Sequence, residues 1–258
     1  MLVDYHTHTF LSDGEGQHED FVQKAHDIGL DEIGFSDHFS IIPTNWGSNE
    51  DDIQYMTDKI EELKAKNELP VKIKFGVEID YIPGKEKEIE KLISALPLDY
   101  VIGSIHFIES WNFDTSPDHY NDKNIETLYE KYFNLLNEAV KSGMFDIVGH
   151  ADVIKKFNHR PQKKPVELYE KVIQSIAANN LTVELNTSGL NKPCKEFYPD
   201  VTFMEMCYQY DIPVMINSDA HKPNQVGQYF SKATALLKGI GYKEISTFTE
   251  RKREMVVF

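Results

Sequence analysis

Short blocks of apolar or alternating residues recur along this chain, each followed by a longer block with helical spacing. Val71, Ile73, Phe75, Val77 and Ile79 repeat with period two, and Ile33-Gly-Phe35-Ser36 is a compact apolar run. Tyr100 to Ile105, Asp146 to Gly149, Leu181 to Leu185 and Ile212 to Ile216 are further runs of strand length. With Val3-Asp4-Tyr5 at the start, the pattern predicts seven strands. Between them, apolar positions three and four apart predict helices over Glu19 to Ile28, Asp51 to Lys66, Glu86 to Leu96, Ile125 to Ser142, Val166 to Asn179 and Val201 to Tyr210. Gly29 and Gly143 stand where two of these helices should stop. Two more helices are expected at about Gln225 to Leu237 and Tyr242 to Lys252. Phe39 to Asn49 reads as a loop, broken by Pro43, Asn45, Gly47 and Ser48. Residues 107–124, rich in Asp, Asn, Pro and aromatics, suit a lid or rim loop.

Strand followed by helix, repeated without a linker, predicts a parallel α/β sheet. At 258 residues the expected form is a closed or nearly closed TIM-like barrel, one domain spanning 1–258. A doubly wound sheet would want a glycine-rich phosphate turn after its first strand, and Gly14-Glu15-Gly16 is too short for one.

Composition narrows the class. Hydrophobic residues at 41% and aromatics at 12% supply a sizeable core, which excludes disorder. A formal charge of -15 argues against a nucleic-acid surface but leaves room for a small anion next to bound cations. Two cysteines, Cys194 and Cys207, are too few for a disulfide framework or a thiolate zinc site. With no signal-like amino terminus and no long apolar run, no membrane partner is expected and the compartment is read as cytoplasmic.

The chemistry lies at the strand ends. His6 and His8, two apart, leave a strand on one face roughly 7 Å apart, close enough to converge on one cation. Asp13, His38, Glu78, His106, His150, and Asp219 with His221 follow other predicted strands, on the face where parallel barrels build their sites. Six of the ten histidines fall in such positions, which separates them from scattered core histidines. Imidazole with carboxylate suits Zn, Mn or Fe, and nine donors exceed what one ion takes. Two or three divalent cations sharing Glu78 and Asp219 would use them and could clamp a phosphoryl group.

His6-Thr-His8 with Ser12-Asp13, Ser36-Asp37-His38, Gly76-Val-Glu78, Gly103-Ser-Ile-His106, Gly149-His150-Ala-Asp152 and Ser218-Asp219-Ala-His221 resemble the motif set of the PHP (polymerase and histidinol phosphatase) superfamily. Glu78-Ile-Asp80-Tyr81-Ile82, Phe145-Asp-Ile-Val-Gly-His150 and Glu184-Leu-Asn186-Thr-Ser-Gly189 resemble its monofunctional histidinol-phosphatase branch in particular. The resemblance runs over essentially the whole chain. It implies a distorted (β/α)7 barrel, three divalent metal ions, and hydrolysis of the phosphomonoester L-histidinol phosphate in histidine biosynthesis.

Carried over by motif, it implies a first metal on His6, His8, Glu78 and Asp219, and a third on Glu78, His106 and His150. A second would take His38 and His221 with Asp13, or Glu15 as substitute, because some members carry a His where this chain has Gly14. The mechanism this suggests is attack on phosphorus by a metal-bridging hydroxide, with Asp219 or His221 relaying a proton to the leaving alkoxide. Arg160 is the expected phosphate clamp. Asn186 is expected either to reach substrate or to orient a ligand. Asp80 and Asp152 are expected to support ligands, and His119 and His159 are candidate rim contacts. Competing readings are a PHP-type exonuclease or phosphodiesterase, another small-molecule phosphatase, an amidohydrolase barrel, for which no strand-end Lys fits, and a non-catalytic metal-binding module.

Overall fold

The computed structural model describes residues 1–42, 44, 47–48 and 52–258. The loop breakers Pro43 and Asn45, the loop end at Asn49 and the helix start at Asp51 lie outside the described residues. Seven parallel strands form the sheet: β1 (Val3–Asp4), β2 (Glu32–Phe35), β4 (Lys72–Asp80), β5 (Tyr100–Ser104), β8 (Ile147–Val148), β9 (Thr182–Asn186) and β10 (Val214–Asn217), hydrogen-bonded in that order. A short strand, β3 (His38–Phe39), sits where a loop is expected from the sequence and pairs with the outer half of β4. The two ends of the sheet meet through one parallel bridge between Thr7 and Ala220. There His8 N donates to Ala220 O at 2.8 Å and Ala220 N to His6 O at 3.1 Å. Asp4 braces the same seam, accepting from the backbone N–H groups of Ser218 and Gly227, each at 3.0 Å. The barrel is therefore nearly closed, and the segment that closes it carries His6 and His8.

Helices α1 (His18–Asp27), α2 (Ile53–Lys66), α3 (Glu86–Ala95), α4 (Ile125–Lys141), α5 (Val166–Ala178), α6 (Val201–Gln209) and α7 (Phe230–Ile240) surround the sheet. Local chemistry sets their ends. Asn124 accepts from Thr127 N at 2.9 Å to open α4, and Gly143, at φ 72°, follows its close. Leu128, Tyr132, Leu136 and Ala139 are buried along one face of α4, each large side chain stabilising by about 1.5–3 kcal/mol. The last helix starts later than its apolar spacing predicts. Pro223–Gln225 is a tight 3₁₀ turn, and positive φ at Gly227 (68°) and Tyr229 (58°) delays α7 to Phe230.

Inside the barrel, Tyr5 stacks on Tyr100 with ring centroids 4.8 Å apart. Gly34 and Gly76 make room for that pair, since a Cβ on either would lie 2.2 Å from Tyr100. The expected helix over Tyr242 to Lys252 is instead an antiparallel hairpin, β11 (Glu244–Thr249) and β12 (Lys252–Val257). The β-branched and aromatic run Ile245-Ser-Thr-Phe-Thr249 favours extended chain, and Glu250 and Arg251 both take positive φ, as a tight hairpin turn demands. The hairpin packs under the amino-terminal ends of the strands. Ser246 meets Thr182, Thr249 accepts from Lys74 at 2.6 Å, and Arg251 donates to Asp146 at 2.8 and 3.1 Å.

Above the opposite mouth, residues 107–124 are more ordered than a plain loop. They hold a ribbon of β6 (Phe107–Ile108) and β7 (Trp111–Asn112) and a 3₁₀ turn over Pro117–Tyr120. Among the described residues no helix is long and apolar enough to cross a membrane.

Candidate metal centre

The carboxyl ends of the strands deliver their polar side chains to one pocket of about 260 Å³, lined by Asp13, His38, Glu78, His106, His150, Asp219 and His221, among others. His6 and His8 lie beneath it, fully buried. Glu78 is the hub. Its Oε2 lies 2.8 Å from His38 Nδ1, 3.2 Å from His6 Nε2 and 3.5 Å from His8 Nε2, while Oε1 lies 2.8 Å from His150 Nε2. Asp219 Oδ1 approaches His8 Nε2 at 3.3 Å, His221 Nδ1 at 3.6 Å and His6 Nε2 at 3.8 Å. Asp13 Oδ1 lies 3.3 Å from His221 Nε2 and 3.7 Å from His38 Nε2.

Donor atoms within 4.8 Å of one another group as His6, His8 and Glu78; as His8, Asp13, His38 and His221; as His38, Glu78 and His106; and as His6, His150 and Asp219. All nine strand-end residues singled out in the sequence enter at least one group. The pairing of His150 with His6 and Asp219 was not foreseen from the motifs.

Several of these atoms lack hydrogen bonds that a packed core would normally supply. His6 Nε2, both ring nitrogens of His8, Glu78 Oε2 and His150 Nδ1 are buried and make no hydrogen bond of acceptable geometry among the described residues. Imidazole nitrogens and carboxylate oxygens left unsatisfied and facing each other fit cation ligands. Electrostatics agrees. Burial opposes charge on Glu78, yet His6, His38 and His150 hold its carboxyl well below the usual range. Burial likewise opposes charge on Asp219, and His6, His8 and His221 outweigh it. Burial also opposes a charged His6, but Glu184, Glu78 and Asp219 raise its pKa well above the ordinary value. Asp80 overcomes burial to push His106 up to about 10, and Asp13 with Asp219 does the same for His221, to about 9. His8 moves the other way, to about 3, through burial and the neighbouring charges of His38 and His221.

Backbone detail explains the aim of these groups. Asp219 sits at φ 52°, a left-handed conformation that Asp tolerates, and turns its carboxylate back over the barrel. Asp37 holds the His8–Asp13 loop, accepting from Thr9 N at 2.6 Å, Thr9 Oγ1 at 2.9 Å and Ser12 Oγ at 2.7 Å. Gly14 runs against the His8 carbonyl, where a Cβ would lie only 2.0 Å from the oxygen. On this backbone no side chain fits at that position, so Asp13 is the acid brought to His38 and His221. Glu15 is not brought there: it is exposed and paired with Lys222 at 2.9 Å.

Of the two roles expected for Asn186, its hydrogen bonds match the orienting one. Its Nδ2 donates to Glu184 Oε2 at 3.0 Å and Asp219 Oδ2 at 3.2 Å, and its Oδ1 accepts from Ser188 N at 2.9 Å. It orients Asp219. Arg160 does not line the pocket. Its guanidinium pairs with Glu196 at 3.1 Å and donates to Asn158 at 3.0 Å, facing a separate groove with Tyr129, Lys164 and Asp200. Among the described residues, the lysines that line the pocket are Lys156 and Lys192.

Asp80 backs His106, its Oδ1 3.0 Å from His106 Nδ1. Buried Asp152, expected to support a ligand, pairs instead with Lys155 at 2.7 Å and accepts from the Asp200 backbone N–H. His119 lies against Thr115 and Asn112 O, and His159 stacks on Tyr120 at 4.5 Å.

A residue without an assigned role in the sequence is Glu184. Fully buried, it accepts from four donors: His6 Nδ1 at 2.7 Å, His150 N at 2.7 Å, Asn186 Nδ2 and Asn217 Nδ2. The signals in the sequence are its place in Glu184-Leu-Asn186-Thr-Ser-Gly189 and an acid set between Val183 and Leu185 in a strand.

Comparison with known proteins bears on this arrangement. The sequence profile of the PHP domain matches residues 4–188. The chain belongs to the PHP domain family. A protein of Deinococcus radiodurans named "Probable histidinol-phosphatase" is 31% identical over 98% of this chain and 98% of its own length. The "Histidinol-phosphatase" of Lactococcus lactis is 25% identical over 97% of this chain and 95% of its own. In fold, the chain matches the crystal structure of histidinol phosphate phosphatase from Lactococcus lactis, complexed with zinc, L-histidinol and phosphate. The TM-score is 0.85, with 23% identity and 98% of each chain covered.

Proposed function

We propose that this protein is a metal-dependent phosphomonoesterase that hydrolyses L-histidinol phosphate to L-histidinol and phosphate, a step of histidine biosynthesis. The observation that carries this reading is the convergence of nine imidazole and carboxylate side chains, several with buried unsatisfied atoms, at one mouth of the barrel. Relatives carrying the histidinol-phosphatase name match over nearly their full length, which supports the substrate.

In this reading three divalent cations are held. Glu78 and Asp219, each facing several imidazoles, suit the shared positions beside His6 and His8. Asp13, His38 and His221 would complete an outer position, and Glu78, His106 and His150 another. Cations there supply an activated water and neutralise the phosphoryl oxygens. The remaining work belongs to the chain itself. Glu184 fixes His6 by its Nδ1 and leaves Nε2 directed at Glu78. Asn186 and Ser188 hold Asp219 Oδ2, so that Oδ1 remains toward the histidines. We assign the proton for the departing alkoxide to Asp219 or His221, whose side chains meet at 3.6 Å. Lys156, which lines the pocket, supplies the cationic contact to phosphate that was expected of the Arg160 guanidinium.

The test is phosphate release from a panel that includes L-histidinol phosphate, nucleoside monophosphates and an oligonucleotide. The expected result is a clear preference for L-histidinol phosphate, abolished by chelation and restored by a divalent cation. Cleavage of the oligonucleotide alone would replace this reading with a phosphodiesterase.

A further inference from the structure

The pocket holds an internal ion pair of a kind that the cation ligands do not need. Lys156, from the turn after β8, donates to Asp114 Oδ2 at 2.6 Å and to Asp114 O at 2.9 Å. Asp114 belongs to the segment that arches over the barrel mouth, and both residues line the metal pocket together with Glu78, His106 and His221. They also line a side chamber with Asn112 and Thr115. The second carboxylate oxygen, Asp114 Oδ1, is buried and has no hydrogen-bond partner among the described residues. A buried carboxylate oxygen left unsatisfied costs free energy unless something else satisfies it.

We infer that Asp114 is the specificity-determining residue that receives the substrate's ammonium group, so that the site selects phosphomonoesters carrying a primary amine. The inference rests on the phosphomonoesterase reading. An aminoalkyl phosphate presents one anionic and one cationic group, the same pair of charges that Lys156 and Asp114 present to each other in the free pocket. Binding exchanges one internal pair for two intermolecular ones: Lys156 turns to the phosphate, and Asp114 accepts from the ammonium. A phosphate ester without the amine gains only the first of these contacts and leaves a carboxylate facing no cation.

The experiment compares kcat/KM for L-histidinol phosphate with that for its des-amino analogue, an imidazolylpropyl phosphate, using the metal-loaded enzyme. The unaltered enzyme should prefer the aminated ester by about 10- to 100-fold, the range of one charge-assisted hydrogen bond. In Asp114→Asn that ratio should collapse toward one. Equal turnover of the two esters by the unaltered enzyme overturns the proposal with no variant needed. So does an unchanged ratio in Asp114→Asn, which would mark Asp114 as a structural tie for the arching segment. Turnover of neither ester would contradict the phosphomonoesterase reading itself, a separate outcome.

Discussion

At the scale of single residues, the site is a set of charges that need each other. Glu184 illustrates this. Both of its oxygens accept from donors, and a glutamine there would turn an amide N–H₂ toward two of them. Glu184→Gln should therefore weaken metal binding by about 10- to 100-fold, as loss of an orienting partner behind a ligand does, with little change in fold. Metal content after dialysis against a calibrated chelator would check this, and wild-type retention would refute it. The nine strand-end side chains themselves were legible in the sequence, because His, Asp and Glu just after apolar runs announce a strand end. Their partners were not. Nothing local to Glu184 or Asn186 says which way an inward-facing side chain turns, and the buried hydrogen bonds that decide it span 33 residues or more for Asp219 and His6. Arg160 misleads for the opposite reason: a loop guanidinium takes the nearest carboxylate, and here that is Glu196.

At the scale of elements, the alternation of strand and helix was readable because each element has its own period and its own stop signals. The carboxyl-terminal hairpin was not, because Tyr242 to Lys252 offers apolar positions that fit a helix as well as a strand. The turn at Glu250 and Arg251 decides the matter, and neither residue is one that usually marks positive φ. The hairpin closes the end of the barrel remote from the metal pocket, so its role is stability. Arg251 ties it to Asp146 and to Met144 O. Arg251→Ala should cost about 1–3 kcal/mol. For a chain of this size that lowers Tm by about 2–4 °C per kcal/mol, while kcat/KM at room temperature stays near wild type. A thermal melt paired with a rate assay separates the two effects, and a loss of activity without loss of Tm would contradict the assignment.

At the scale of the whole molecule, a barrel whose seam is closed by the His6–His8 segment makes the site and the fold one structure. The backbone bridge at Thr7 and Ala220 fixes the first and last motifs against each other, and Asp4 braces the same junction. His6, His106 and His221 have their pKa values raised by neighbouring carboxylates, so cation binding is predicted to displace protons from them and to tighten as pH rises. The most direct measurement titrates chelated protein with Zn²⁺ or Mn²⁺ in weak buffer near neutral pH, following proton release with an indicator and phosphate release from L-histidinol phosphate on the same samples. The predicted result is that protons leave as cations bind and that hydrolysis appears in step. Hydrolysis at full rate by the chelated protein, or cation binding with neither proton release nor hydrolysis, would contradict the account.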